Sequence, residues 1–566
     1  MSTPDKVILL ISESSMMVPA SNLQPCLVLY TEVTSHPTYR LIFALPPAKM
    51  VAPADLPLVT VDALDKVYPA DRVTNQGVRW NSLVESFKSH YGYKPAFIVR
   101  APGRVNLIGE HIDHALFGVV PMAIVPDVII AIGPRADTHE IRAQNVDPKY
   151  SPTAFTPSYS GGPVVDIDIR HLQWHSYVKA ALLGYLKHPH SGGQSAGLDM
   201  LYDGTVPAGS GLSSSAAMVI STLLALLAAN ARLEGISKGD LVKMSMGAEG
   251  NVGVNTGGMD QAASVISTPA AALYVQFFPQ LAGDPVPIPA TDPAISFVIA
   301  NTLVTSDKAT TAKYNYNLRV VETLAGAALL AKRLGLAYTP ADKVSYRQIV
   351  SEVAGGEHSL TGESVDNTDP TAGLRAAFKK TLQAIEHHLG NDSVRDGLSE
   401  DDLIDALDMS KQSFADTYLS LAVEPLGGKY RLYSRAKHIL EEALRVLEFR
   451  RAIETGADGN MQNLPKLLGQ IMGQSQDSCR DQFMCSCKEI DEITSIASEE
   501  GALGSRLTGA GWGGSTVSLV PAHIVPRFIE NVSKRYSKYQ GLGKDELEQA
   551  IFATLPASGA CVHPLD

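Results

Sequence analysis

The feature that most restricts the fold of this chain is a glycine- and serine-rich segment between two apolar segments. Residues 201–206 are typical of a strand that ends at Pro207, and residues 216–229 are nearly all Ala, Leu, Val and Ile, which predicts a buried helix. A strand, a glycine-rich loop and a helix form an arrangement that binds phosphates. The first N–H groups of such a helix have no partner within it, and its dipole attracts anions.

The residues of the loop also favour phosphate binding. Gly209 and Gly211 let the backbone approach a ligand closely, and Ser213, Ser214 and Ser215 offer hydroxyls to phosphate oxygens or a metal. The alternative is an ordinary core helix with a serine N-cap, for which one serine is enough. No Gly-Lys-Ser/Thr sequence follows, so the loop is not a Walker P-loop.

A second polar segment, residues 101–114, follows an apolar run at 97–99. Pro102 and Gly103 are expected to break the strand that the apolar run begins. The segment then places one cation close to two carboxylates and an imidazole, which suits a polyhydroxylated ligand because carboxylates accept hydroxyl protons and His donates or accepts. A polar loop whose charges only cap a helix is the alternative, but the whole cluster favours a site. The candidate residues are Arg104, Glu110, His111 and Asp113.

Apolar spacing predicts the local structure of two further segments. Residues 79–91 have apolar side chains at helical spacing and are followed by Gly92, which predicts a helix that ends there. Residues 119–132 are apolar but contain Pro121 and Pro126, which predicts a strand, a turn and a strand. Strands and helices alternate along the chain without a regular βαβ repeat, which indicates an α+β fold.

Four segments, in this order, resemble the motifs of the GHMP small-molecule kinases, and the first resembles the galactokinase signature. They are residues 101–114, 207–217, the Gly-Gly-Met-Asp-Gln run at 257–261, and Arg-Leu-Thr-Gly-Ala-Gly-Trp-Gly-Gly-Ser at 506–515. The resemblance extends from about residue 73 to the C-terminus. It implies a two-domain fold with a mixed sheet in the N-terminal domain, an antiparallel sheet plus helices in the C-terminal domain, and an active site in the cleft between them.

The resemblance also implies a division of the chain into three parts. Residues 1–49 form an N-terminal extension without a counterpart in the family, and we expect it to be dispensable. Residues 50–285 correspond to the GHMP N-terminal domain and residues 286–566 to the C-terminal domain. The boundary is placed at a link that contains Pro285, Pro287 and Pro289.

By the same resemblance, Asp260 is the catalytic base and Arg104 is the cation beside it. The sugar is expected to contact Arg104, Glu110, His111, Asp113, Gly257, Asp260 and Tyr316. ATP is expected to contact Trp174, Pro207, Gly209, Ser210, Gly211, Leu212, Ser213, Ser214 and Ser215. Magnesium is expected to be held by Ser215 and Glu249. Trp174 would lie near the adenine, the alternative being a core position.

Composition restricts the partners of the chain. The net charge of −12 argues against binding to nucleic acid or to an acidic membrane surface. No apolar run has the length of a membrane span. Five cysteines, an odd and low number, argue against a disulfide framework and fit a reducing compartment. We therefore expect a cytoplasmic protein without a membrane partner. The sequence does not determine the oligomeric state, and a monomer is assumed.

The resemblance implies a galactokinase that transfers a phosphoryl group from ATP, with Mg²⁺, to the anomeric hydroxyl of α-D-galactose, the first committed step of galactose catabolism in the Leloir pathway. An N-acetylgalactosamine kinase is one alternative. The other is a galactose sensor that acts on transcription through a regulatory protein partner, and a bifunctional protein would also have such a partner. His114 departs from the pattern, since relatives usually carry Tyr at this place.

Overall fold

The computed structural model describes residues 52–253, 257–305, 313–357, 360, 369, 371–419 and 422–565, and its largest sheet has seven strands. The predicted extension, residues 1–49, lies outside the described residues. The strands are β1 (Val59–Thr60), β2 (Phe97–Ile108), β3 (Val120–Arg135), β4 (Ile141–Asn145), β5 (Thr153–Phe155), β6 (Gly197–Gly204), β7 (Ala271–Gln276), β8 (Ala282–Pro287), β9 (Ile295–Asn301), β10 (Gly504–Thr508), β11 (Ser515–Pro521), β12 (Ile551–Thr554) and β13 (Cys561–Pro564).

The strands form three sheets. The seven-stranded sheet has the order β1-β13-β2-β3-β6-β4-β5 and is mixed, since β1 pairs with β13 and β4 with β6 in parallel while its other pairs are antiparallel. A four-stranded antiparallel sheet has the order β10-β11-β9-β12, and β7 with β8 forms a hairpin. These sheets, combined with helices, confirm the α+β class.

The helices of eight or more residues account for most of the remaining ordered backbone. They are α1 (Ala70–Tyr91), α2 (Trp174–Lys187), α3 (Ser214–Ala229), α4 (Lys238–Gly250), α5 (Met259–Ile266), α6 (Tyr316–Arg333), α7 (Tyr346–Val353), α8 (Ala372–Leu389), α9 (Lys411–Tyr418), α10 (Leu432–Thr455), α11 (Leu464–Ser478), α12 (Lys488–Glu499) and α13 (Val525–Arg535). Shorter helices span Asp392–Arg395, Glu400–Ala406 and Lys544–Ala550, and a π-helical turn spans Cys479–Phe483. None of the described helices has both the length and the hydropathy needed to cross a bilayer.

The predicted end of α1 is confirmed. The helix ends at Tyr91, and Gly92 follows in the left-handed conformation with φ 84° and donates its N–H to Lys88 O, which is the geometry that favours glycine at this place. The helix begins at residue 70 and not at 79. The spacing of apolar residues did not predict its first turns, because these turns are mostly polar.

Two strand predictions are wrong at their prolines. β2 does not break at Pro102 and Gly103 but continues to Ile108, and β3 is one strand and not two. The β2–β3 pairing changes register between Pro102 and Arg104, where Pro126 lies in the extra segment of β3 and needs no ladder hydrogen bond. A Cβ on Gly103 would lie 2.8 Å from Leu212 O. The bulge therefore brings the strand close to the glycine-rich loop.

Helix α3 is the buried support of this loop. Nearly all of its residues after Ser215 are inaccessible to solvent, and it packs on β2 and β3. Burial on all sides fixes the helix, so its N-terminal end is held next to the bulged part of β2.

The domain boundary after residue 285 stays a prediction. In the structure β8 runs through this residue, and β13 belongs to the seven-stranded sheet although it comes from the end of the sequence.

Candidate active site

An ion pair between Arg104 and Asp260 lies at the centre of the site. Arg104 is 3% exposed on β2, and Asp260 is in the first turn of α5. Arg104 Nε donates to Asp260 Oδ1 over 2.7 Å, and Nη2 lies 2.6 Å from the same oxygen. Nη1 donates to Gly211 O over 2.7 Å, and the Arg104 backbone N–H donates to Leu212 O over 3.1 Å. One arginine thus links the carboxylate to the glycine-rich loop.

Three further sugar candidates lie beside this pair. The carboxylate of Asp113 lies so close to Gly257 that a Cβ on this glycine would overlap it. Tyr316, at the start of α6, has its ring 5.8 Å from that of His111. Burial, and then the negative charges of Asp113 and Asp260, raise the pKa of its hydroxyl. Residues from four separate segments therefore meet at one place.

His111 is held in one orientation. It has a left-handed backbone with φ 60°, and its ring lies 4.6 Å from the ring of Phe483 in a stacked arrangement and 5.6 Å from that of Trp512. His111 Nε2 lies 2.9 Å from Ala510 O, and because a carbonyl only accepts, this nitrogen carries the proton. Burial lowers the pKa of His111 well below its usual value, so the imidazole is neutral.

Glu110 is engaged within the protein. Its side chain is buried and accepts hydrogen bonds from Arg506 Nη1 at 2.9 Å, from the Asn106 amide and from the Gly509 N–H. Burial raises the pKa of Glu110, and Arg506 opposes this effect. The sequence reasoning missed Arg506 as its partner, although this residue opens the fourth motif.

Three residues of the glycine-rich loop have left-handed backbone conformations. Gly209, Gly211 and Ser213 have positive φ values of 69°, 75° and 60°, and α3 begins at Ser214. Ser213 makes no capping hydrogen bond, and its buried hydroxyl has no partner in the described parts of the chain. The alternative of an ordinary serine-capped core helix is therefore wrong.

Hydrogen bonds hold the remaining residues of the loop. Ser210 Oγ donates to Pro207 O over 2.7 Å, and Ser515 Oγ donates to Ser210 O over 2.7 Å. Leu212 is buried, while Ser214 and Ser215 at the start of α3 are partly exposed.

The fourth motif packs against the glycine-rich loop. A Cβ on Gly509 would lie 2.6 Å from Gly211 O, and a Cβ on Gly211 would lie 3.1 Å from Thr508 O. Only glycine permits this approach of the two backbones, so the fourth motif supports the loop from the other side.

Glu249 and Trp174 lie on neighbouring helices. Glu249, on α4, is 3% exposed and accepts a hydrogen bond from the Gln261 side chain of α5. Trp174 begins α2, donates from Nε1 to Ser151 O over 2.9 Å, and has its ring 5.4 Å from that of Tyr202. Tyr202 belongs to β6, the strand that leads into the loop, so Trp174 packs against this strand.

His114 is mostly buried beside Asp113. Its Nδ1 lies 3.8 Å from Asp113 Oδ1, which is too far for a hydrogen bond, and neither ring nitrogen has a hydrogen-bond partner among the residues that the structure describes.

Family models match three parts of the chain. The galactokinase galactose-binding signature matches residues 85–134, the GHMP kinases N-terminal domain matches residues 176–268, and the GHMP kinases C-terminal model matches residues 460–538. The first two matches include the bulged part of β2 and the glycine-rich loop.

Similar proteins match the chain over most of its length. The galactokinase of Saccharomyces cerevisiae is 39% identical over 506 residues, which cover 86% of this chain and 94% of that protein. The galactokinase of Dictyostelium discoideum is 35% identical over 520 residues, covering 89% and 97%. The structure of Lactococcus lactis galactokinase complexed with galactose is similar in fold, with a TM-score of 0.59 at 22% identity over 85% of this chain and 99% of that chain. The chain therefore belongs to the galactokinase family and has the two-domain α+β fold of the GHMP kinases.

Proposed function

We propose that this chain transfers the γ-phosphoryl group of ATP to the anomeric C1 hydroxyl of α-D-galactose, giving galactose 1-phosphate and ADP. The observation that carries the proposal is the double contact of Arg104, which binds the Asp260 carboxylate and two carbonyls of the glycine-rich loop. Phosphoryl transfer depends mainly on positioning and charge stabilisation. An acceptor hydroxyl beside Asp260 would lie next to the phosphates that the loop would hold.

Asp260 would act as the base in this reaction. It would accept the proton of the C1 hydroxyl as that oxygen attacks the γ-phosphorus and ADP leaves. Arg104 would keep Asp260 ionised, because an adjacent cation favours the charged form of a carboxyl group. Its guanidinium would also stabilise the negative charge of the transferred phosphoryl group.

The other sugar candidates would orient the acceptor. Asp113 would accept hydroxyl protons, the Gly257 backbone and the Tyr316 hydroxyl would contact the ring substituents, and neutral His111 would offer Nδ1 as an acceptor. Glu110 would also contact the sugar. Its carboxylate would do so while it accepts the hydrogen bonds of Arg506 and Gly509.

The glycine-rich loop would bind the phosphates of ATP. The N-terminal end of α3, with the unpartnered hydroxyl of Ser213, supplies hydrogen-bond donors for oxyanions. Trp174 would lie near the adenine. The residues that would contact ATP are Trp174, Pro207, Gly209, Ser210, Gly211, Leu212, Ser213, Ser214 and Ser215.

Ser215 and Glu249 are suitable in chemistry for magnesium. One hydroxyl and one buried carboxylate are oxygen donors, and Mg²⁺ at phosphate-transfer sites usually takes one or two carboxylates and completes its shell with phosphate oxygens and water. Within the described ranges, no three Asp, Glu, His or Cys side chains gather as a ligand set. When bound, the ion would neutralise charge on the β- and γ-phosphates.

The proposal is tested by ADP release with ATP and Mg²⁺ against galactose, N-acetylgalactosamine, glucose and arabinose. Turnover that is highest with galactose is expected. Preference for N-acetylgalactosamine would agree with the proposed mechanism but would reject galactose as the substrate. Galactose binding without turnover would reject the kinase and favour a sensor with a regulatory partner. The cytoplasmic location and the monomeric state stay predictions.

A further inference from the structure

A cationic cavity lies outside the residues assigned above to the sugar and ATP. It encloses about 280 Å³ of space, part of which is open to solvent, and its polar lining consists of Arg319, Glu322, Lys429, Arg431 and Arg435, with Met484 at one side. We call the space that these residues line the cationic cavity. Four cations face one carboxylate here, in a chain whose net charge is −12.

The two arginines at the back of the cavity are buried. Their side chains are each 2% exposed, and that of Glu322 is 1% exposed. Arg435 Nε donates to Glu322 Oε2 over 2.6 Å, and Arg319 Nη1 lies 3.4 Å from the same oxygen. Glu322 Oε1 accepts from the Arg431 backbone N–H over 2.7 Å. One carboxylate is therefore shared by two guanidinium groups, which leaves an excess of buried positive charge.

The pKa of Arg319 agrees with an excess of positive charge in the cavity. Burial, and then the neighbouring Arg435, lower the pKa of Arg319 to about 10, and Arg431 acts in the same direction. Lys429 and Arg431 are exposed at the mouth of the cavity and add two further cations there. Buried charge without a counter-charge is costly, so an anion in the cavity would be favourable.

The wall of the cavity is also a wall of the sugar site. Arg319 Nε donates to Phe483 O over 2.7 Å, and its Nη2 donates to Met484 O over 3.2 Å. Phe483 carries the stacked ring of His111, and the Arg319 guanidinium lies 5.5 Å from the centre of the Trp512 ring. The same short segment thus contacts both the arginines and the sugar candidates.

We propose that the cationic cavity binds a small phosphate-type oxyanion, either inorganic phosphate or the phosphoryl group of a small organic phosphate. The chemistry favours this class, because guanidinium groups donate forked hydrogen bonds to tetrahedral oxyanions and a doubly charged group best balances the excess charge. Occupancy would be linked to galactose affinity through Phe483 and Met484, and the linkage would be reciprocal.

The test is isothermal titration calorimetry with inorganic phosphate at constant ionic strength, on the full chain with a non-hydrolysable ATP analogue and galactose saturating, so that the position of the γ-phosphoryl group is also occupied. The variant is Lys429→Gln/Arg431→Gln, which changes only exposed side chains. The matched control is Lys411→Gln/Lys544→Gln, two exposed lysines on other elements. We expect saturable binding that weakens about fivefold in the variant and is unchanged in the control, because a fivefold change corresponds to about 1 kcal/mol for the two lost cations together.

The outcomes separate the alternatives. Equal phosphate binding by wild type and the variant, or no saturable binding by wild type, would overturn the proposal. A parallel titration with glycerol 3-phosphate identifies the source: tighter binding than that of phosphate assigns an organic phosphate, and weaker binding assigns the free ion. A galactose titration with and without phosphate tests the linkage, which is rejected if phosphate changes galactose affinity equally in wild type and the variant. ADP release with ATP, Mg²⁺ and galactose is measured separately, so failure of the kinase proposal would be visible apart from the phosphate titration.

Discussion

Arg506 Nη1 donates to Glu110 Oε2 over 2.9 Å, and the two side chains are 0% and 1% exposed. The pair joins β10 to the polar segment that follows β2. Glu442, on α10, extends it: Glu442 Oε1 accepts from the Gly109 N–H over 2.9 Å and lies 3.7 Å from Arg506 Nη2. Arginines 445 and 506 outweigh the effect of burial and lower the pKa of Glu442 to about 2, so it is charged. A buried charge network therefore holds the backbone beside His111.

Replacing Arg506 with Met should destabilise the protein strongly. The change leaves Glu110 and Glu442 buried with one cation fewer, and breaking a buried pair from one side costs about 3–5 kcal/mol. Urea unfolding measures the change in the free energy of unfolding. Arg535→Met is the control, because Arg535 pairs with Glu499 and Glu500 at the surface and its loss should have a much smaller effect. Equal losses in the two variants would show that the Arg506 network does not stabilise the fold.

The protein should lose stability as the pH falls from about 6.5 towards 4, in part through His438. Burial lowers the pKa of this imidazole to about 4 from the usual 6.5, so the unfolded chain takes up a proton in this range and the folded chain does not. The stability is fully present above pH 6.5 and is lost through this window. Between pH 7.5 and 5 the loss from His438 is about 2 kcal/mol.

Urea unfolding of wild type and His438→Gln at the two pH values checks this prediction. The amide of Gln donates and accepts but does not titrate in this range, so the variant should be less sensitive to pH by about that amount. His111, whose pKa is lowered in the same direction, contributes to both proteins and cancels in the comparison. The same pH dependence in both would contradict the assignment to His438.

Gly257→Ala should weaken galactose binding selectively. The new Cβ would overlap the Asp113 carboxylate, which must move, and a displaced ligand group raises the KM for galactose by about tenfold or more. The KM for ATP should change little. Gly247→Ala is the control: its Cβ has open space around it in α4, and Ala in a helix is favourable by about 0.5–1 kcal/mol. An unchanged galactose KM in Gly257→Ala would remove Asp113 from the sugar site.

Asp260→Asn should lower kcat by about a hundredfold or more, because general-base catalysis contributes on this scale. The amide has nearly the same shape, so galactose binding should persist, and calorimetry on the variant measures it. The pair of measurements separates a lost base from a lost binding site. Wild-type turnover in Asp260→Asn would remove Asp260 as the base.

Local pattern was sufficient where one element determined its own structure. The spacing of apolar residues in α1, followed by Gly92, gave the end of that helix, and the fully apolar run of α3 gave a buried helix behind a glycine-rich loop. The order of the motifs predicted that Arg104 and Asp260 belong to one site, and in the structure their side chains form an ion pair.

Local pattern failed where distant segments decide the structure. The bulge at Pro102 and Gly103 exists because β2, β3 and the glycine-rich loop pack together, which no short window of sequence contains. On α10, the polar residues Arg435, His438 and Glu442 recur at helical spacing, which in sequence is typical of a solvent-facing side. All three are buried, because partners from other elements satisfy them.

β13 joins the seven-stranded sheet from the far end of the sequence, where Cys561 pairs with Arg100 and Arg100 Nη1 donates to Ser558 O over 2.9 Å, 458 residues away. During translation, β2 therefore emerges from the ribosome long before its partner is made. Until then its edge presents unpaired backbone groups to other nascent chains. β13 can cover this edge only after residue 564 has left the ribosome, so β2 gains its full set of ladder partners late in biosynthesis.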